Sequence, residues 1–198
     1  MPKKLGTEPI YIAPKIIGFI KENGNPYVFD ELNQQELDPL NVNHKILIYE
    51  RQVKGWFINQ AENLIKYKNQ DKGFIVLMIC LSYIEGVEEY KTGQNSQNRS
   101  REFFINSINK IFPNKFQNSE ISELYREARC GLFHNGMVRG QIVINNSFNE
   151  AIKFSDNRIK ISPSKFLNEI KIDFENFINE LKTDNQKRAN FNNLYTNL

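Results

Sequence analysis

The sequence predicts a mainly α fold: a bundle of four to five helices, a small β-hairpin between the fourth and fifth, and an extended N-terminal arm. Three observations carry this expectation. From Ile46 onward, large apolar residues recur three and four positions apart, the period of helices buried along one face. Residues 1–43 hold Pro2, Pro9, Pro14, Pro26 and Pro39, too dense a set for one long helix. Between 141 and 161, short β-type runs alternate with polar turns.

The segment 1–43 reads as an arm of short strands or turns. Its apolar runs, Ile10-Tyr11-Ile12, Ile16-Ile17-Gly18-Phe19-Ile20 and Tyr27-Val28-Phe29, are separated by prolines and by the turn signal Asn23-Gly24-Asn25-Pro26. A helical domain occupies 44–183. Its first helix covers about 45–68, with Trp56, Phe57, Ala61, Leu64 and Ile65 on the core face. Asp71 caps a second helix that runs through Phe74–Leu81 to Glu89 or Tyr90 and stops near Gly93. That helix is apolar all round, so it is expected to be the most buried. Glu85, Glu88 and Glu89 near its end read as a charged outer face.

A third helix carries Phe103, Phe104, Ile108 and Ile111 and is ended by Pro113. The fourth opens at Ser119-Glu120, holds Ile121, Leu124, Ala128 and Leu132, and ends at Asn135-Gly136. Runs at 141–144 and 151–154, with Asp156-Asn157 before Arg158-Ile159-Lys160-Ile161, predict an antiparallel hairpin or meander. Ser162-Pro163 starts a fifth helix with Phe166, Leu167, Ile170, Phe174, Phe177 and Leu181 inward. The Asn-rich tail, 184–198, is expected to fray.

Composition narrows the function classes. At 198 residues the chain suits one core, and fifteen Phe and eight Tyr supply enough apolar bulk to build it. A net charge of +3 from 26 basic and 23 acidic side chains makes no field strong enough to select or reject nucleic acid. No apolar run reaches the roughly 20 residues of a membrane span, and none succeeds the N-terminus as in a signal peptide, so no membrane partner and a cytoplasmic location are expected. Cys80 and Cys130 form no C-x-x-C pair, and His44 and His134 are far apart, so neither a metal site nor a cofactor is expected.

Chemistry concentrates in the fourth helix. At about 3.6 residues per turn, Ile121, Leu124, Ala128 and Leu132 share the packed stripe, leaving Arg126, Cys130, His134 and Met137 on the opposite side with Arg129 and Phe133 at its edge. Apolar Cys130, Phe133 and Met137 on an outward face predict a homodimer through that face. Arg129 and His134 are the candidate catalytic pair, and Arg126, Asn135 and Arg139 beside them are candidate substrate-binding residues. Each also has a purely structural alternative: ion-paired arginines, a helix-capping histidine, and Asn135-Gly136 as a helix stop.

Arg129 and His134, at the end of a helix inside a helical bundle, have the R-x4-H spacing of the HEPN superfamily, which the chain resembles over roughly 45–182. Cys130 departs from the polar residue that many members place after the arginine. The resemblance implies a HEPN-like bundle and a metal-independent endoribonuclease that cleaves single-stranded RNA across a homodimer interface. His134 would move protons and Arg129 would stabilise phosphate charge. It also implies a role in toxin–antitoxin or antiviral systems, with an antitoxin or nucleotidyltransferase-like partner. The alternatives are a non-catalytic HEPN-like dimer that binds nucleotide, RNA or a partner protein, and a helical interaction module of unrelated function.

Overall fold

The computed structural model describes residues 5–66 and 72–195. Its first finding corrects the expected fold class, because the chain is mixed α/β with a four-stranded and a three-stranded sheet and is not a plain helical bundle. The region expected as an extended arm is the larger sheet. Strands β1 (Ile10–Ala13), β2 (Ile16–Ile20), β3 (Pro26–Asp30) and β4 (Gln35–Leu37) pair antiparallel in sequence order.

The prolines that argue against a helix do not oppose this sheet. Pro9 precedes β1, Pro14 sits in the turn before β2, Pro26 is the first residue of β3 and Pro39 comes after β4, all places where no ladder amide is required. Lys15 (φ 61°) and Gln34 (φ 51°) supply the left-handed residues that close two of the turns. Alternation then puts Ile12, Ile16, Val28 and Leu37 into the core.

Helix α1 (Val42–Val53) is next, then a single π-type turn over 54–58 and α2 (Asn59–Lys66). The expected helix is therefore present but out of phase. A π turn takes up more residues than an α turn, so Trp56 and Phe57, expected inside, are exposed while Ile58 and Ala61 are buried. The end of that helix at 67–68 and the Asp71 cap lie outside the described residues. Helix α3 (Gly73–Thr92) buries Val76, Leu77, Cys80, Leu81, Ile84 and Val87, but Ile75 and Met78 are exposed, so it is not buried all round.

Next come α4 (Ser100–Ile111), α5 (Asn118–Leu124), a second π-type turn over 125–130, and α6 (Gly131–Asn135). The small sheet has the order β5 (Ile142–Ile144), β7 (Arg158–Ile161), β6 (Ile152–Ser155). Asp156 and Asn157, both at φ 55°, make the tight turn of the β6–β7 hairpin. The hairpin matches the sequence expectation, whereas β5 pairs parallel to β7. Period-two patterning identifies a strand without identifying its neighbour.

Pro163 opens α7 (Pro163–Thr183), as expected from Ser162-Pro163. Up to Leu194 the tail, expected to fray, is helical: Asp184 accepts from the amides of Gln186 and Lys187 and caps α8 (Asn185–Leu194). Phe191 and Tyr195 then bury against Tyr49 and Tyr90.

The chain divides into two compact units, with α2, α3 and α7 contributing to both. The first holds the four-stranded sheet, α1 and α8. In it Gln52 Nε2 donates to the Ile12 carbonyl at 2.6 Å, and the Arg51 guanidinium grips Asp30. The second holds α4 through β7 and centres on Leu77, Cys80, Ile84, Phe104, Ile121, Ala128 and Phe166. Among the described residues no helix is long and apolar enough to cross a membrane.

Candidate functional site

The segment from Asn118 to Asn135 lies in the second unit and runs helically throughout. Ile121, Leu124 and Ala128 are fully buried and Leu132 nearly so, which fixes the opposite side outward. The π-type turn spans Tyr125–Cys130 and so contains Arg126 and Arg129. Such a turn shifts the phase of the next helical residues and re-aims side chains that an ideal helix would place elsewhere.

Arg129 leans back onto α3. Its Nη2 donates to Glu85 Oε2 at 2.8 Å, with the two side chains 20% and 16% exposed. Two rings bracket the guanidinium, its carbon lying 5.5 Å from the Tyr125 centroid and 5.1 Å from that of Phe133. A planar cation placed against aromatic faces and tied at one corner has little rotational freedom left. One of its donors is engaged by Glu85, and among the described residues its other donors have no acceptor. Burial pushes the Tyr125 hydroxyl above its ordinary range against the opposing charge of Arg129, and Cys130 and Glu85 push it further up.

His134 occupies the last turn of α6 and is exposed. Among the described residues its side chain has no hydrogen-bond or ion-pair partner. Gly136 (φ 70°) ends the helix in the left-handed conformation, its amide donating to the Leu132 carbonyl at 3.2 Å. The chain then doubles back, and the Arg139 amide reaches the Glu127 carbonyl at 3.0 Å. This return requires Gly131, where a Cβ would stand 2.7 Å from the Met137 carbonyl oxygen and 3.2 Å from the Arg139 nitrogen.

Arg129 and His134 thus lie five residues apart on one helical segment, the first mostly buried in the π-type turn and the second exposed in the last turn, and no hydrogen bond joins them among the described residues. Arg126 is held by two carboxylates, with Nε 2.8 Å from Glu127 Oε1 and Nη2 3.6 Å from Glu123 Oε1. Asn135 and Arg139 are exposed, the first on the terminal turn and the second on the loop that returns toward β5. Phe133 and Met137, 44% and 59% exposed, lie on the same outward side.

The chain matches no family model, no curated protein and no solved structure. The resemblance to HEPN proteins therefore rests on the sequence alone.

Glu85, read from the sequence as part of a charged outer face, is the partner of Arg129. A signal for its true place is present, because Leu77, Leu81, Glu85 and Glu88 succeed one another at spacings of four, four and three. Leu77 and Leu81 are fully buried and Glu88 nearly so. A carboxylate continuing a buried stripe needs a cation, which Arg129 supplies here and Lys110 supplies to Glu88 at 2.6 Å.

Proposed function

We propose that the chain is a metal-independent endoribonuclease that cleaves single-stranded RNA where two copies meet through the outward face of the Asn118–Asn135 segment. The supporting observation is the pairing of an arginine held by Glu85 and two rings, with donors to spare, and an unpartnered histidine on the same exposed helix end. RNA brings its own nucleophile, so the protein has only protons and charge to manage. His134 takes the proton of the 2′-hydroxyl as the 2′-oxygen bonds to phosphorus. The bond from phosphorus to the 5′-oxygen breaks, and the leaving oxygen takes a proton from the same histidine of the second copy. Arg129 donates to the non-bridging oxygens while their charge rises. Phe133 and Met137 give the two copies an apolar surface on which to close.

Incubation of the protein with single-stranded RNA in EDTA tests this directly. Cleavage should persist and leave 2′,3′-cyclic phosphate and 5′-hydroxyl ends. Loss of cleavage that magnesium or manganese restores, or 3′-hydroxyl products, would remove the mechanism. A role as a toxin or antiviral effector, neutralised by an antitoxin or nucleotidyltransferase-like protein, belongs to the same proposal.

The second reading is a non-catalytic dimer that binds nucleotide, RNA or a partner protein, and the Arg129–Glu85 ion pair is the observation that favours it. There the pair would be purely structural, and no RNA would be cleaved.

A further inference from the structure

Beside the candidate site, on the far side of Cys130, lies an open cleft of about 500 Å³. Arg101 of α4 and Ser119, Ser122, Tyr125 and Arg126 of the next helical segment line it. Its polar groups are unequally engaged. Arg126 is committed to Glu123, which also faces the cleft, and to Glu127. Arg101 is exposed and, among the described residues, takes part in no ion pair. The hydroxyls of Ser119 and Ser122 likewise have no hydrogen-bond partner among the described residues.

An available guanidinium fork with two available hydroxyls is the donor set that phosphate and ribose oxygens accept from. The volume lies within the range of small-ligand sites, enough for one nucleotide. Cys130, the residue next to Arg129, and Tyr125, whose ring centroid is 5.5 Å from the Arg129 guanidinium carbon, both line the cleft, so the cleft adjoins the candidate site. We infer that this cleft holds the nucleotide adjoining the scissile phosphate, with Arg101 on its phosphate and Ser119 and Ser122 on its sugar-phosphate oxygens. The placement next to the scissile bond rests on the proposed ribonuclease reading. Binding of single-stranded RNA in the cleft does not.

The test uses a fluorescein-labelled single-stranded RNA of ten nucleotides and its anisotropy with the His134→Ala protein, so that cleavage plays no part. Arg101→Ala should weaken binding about tenfold, the scale of one charge-assisted contact. It should also lower the slope of log affinity against log salt by about 0.7. Arg101 is exposed, so the variant should keep the parent melting temperature. Arg99→Ala is the comparator, because that guanidinium is already paired with Glu102, and it should leave affinity nearly unchanged.

Unchanged affinity and slope in Arg101→Ala, an equal loss in Arg99→Ala, or no RNA binding by the parent protein would each overturn the cleft assignment. If Arg101→Ala weakens binding while the wild type cleaves no RNA, the cleft stands and the ribonuclease reading falls. If RNA is cleaved but Arg101→Ala binds normally, the reverse holds.

Discussion

Two arginine–carboxylate pairs, one in each unit, are built differently. Asp30 and Arg51 form a saturated pair. Arg51 Nη1 and Nη2 reach the two carboxylate oxygens at 2.5 and 2.7 Å, and the amides of Leu32 and Asn33 and the side chain of Asn33 also donate to the fully buried carboxylate. Glu85 and Arg129 share a single bond of 2.8 Å, remain partly exposed, and keep the guanidinium between two rings with donors available. The first pair ties β3 to α1 through a buried carboxylate whose two oxygens are gripped by both arms of the guanidinium and by three further donors. The second holds its arginine by a single bond. The contrast reads Arg51 as structural and supports the proposal that Arg129 acts on a ligand.

Breaking the saturated pair should have the largest effect on stability. Asp30→Ala leaves the Arg51 cation and the amides of Leu32 and Asn33 without their acceptor, at a cost of about 3–5 kcal/mol in urea unfolding. A loss under about 1 kcal/mol would mean that the pair is not the structural tie described.

Glu85→Gln should show the opposite profile. It keeps a hydrogen-bond acceptor beside Arg129 but removes the charge, so the urea midpoint should move little. If Glu85 positions Arg129, kcat for RNA cleavage should fall about 10- to 100-fold with KM nearly unchanged. Glu85→Asp should recover part of that loss. A large stability change with normal kcat would make this pair structural as well.

The smallest effect concerns pH. Burial pushes the Asp30 carboxyl up, but the hydrogen bonds and charge of Arg51 and the amides of Leu32 and Asn33 outweigh it and hold the carboxyl below its ordinary range. A carboxyl lowered in the folded state contributes stability that is complete above its unfolded value, about 4, and is lost as pH falls through the folded value. Wild-type stability should therefore drop more steeply below about pH 4 than that of Asp30→Asn. Parallel pH profiles for the two proteins would show that Asp30 carries no such linkage.

The same two regions show what a sequence can express. The Asn118–Asn135 segment is legible because local rules fix it: Ile121, Leu124, Ala128 and Leu132 keep one helical stripe, and Gly136 ends it with a conformation few other residues adopt. The N-terminal sheet reads as loose strands because period-two runs do not say which strand each will pair with. Val28, for instance, pairs with Gly18 on one side and Leu37 on the other. Helix α8 is hidden by its asparagines, although Asp184 as a cap and Phe191 and Tyr195 four apart are its signature. Helical spacing shows Glu85 continuing the stripe of Leu77 and Leu81, but the partner that accounts for it lies 44 residues away and has no local marker. The phase slips at the two π-type turns have no marker in composition, and one of them exposes Trp56 and Phe57.

The most direct measurement compares wild type with His134→Ala on single-stranded RNA, with circular dichroism and light scattering on both proteins. His134 is exposed and has no partner among the described residues, so its loss should leave fold and assembly intact while cleavage falls by a factor of about 10² to 10⁴, the usual share of a proton-transfer group. Arg129→Lys, which keeps the charge but loses the planar fork, should also be strongly impaired. Wild-type cleavage by folded His134→Ala would contradict the proposed site.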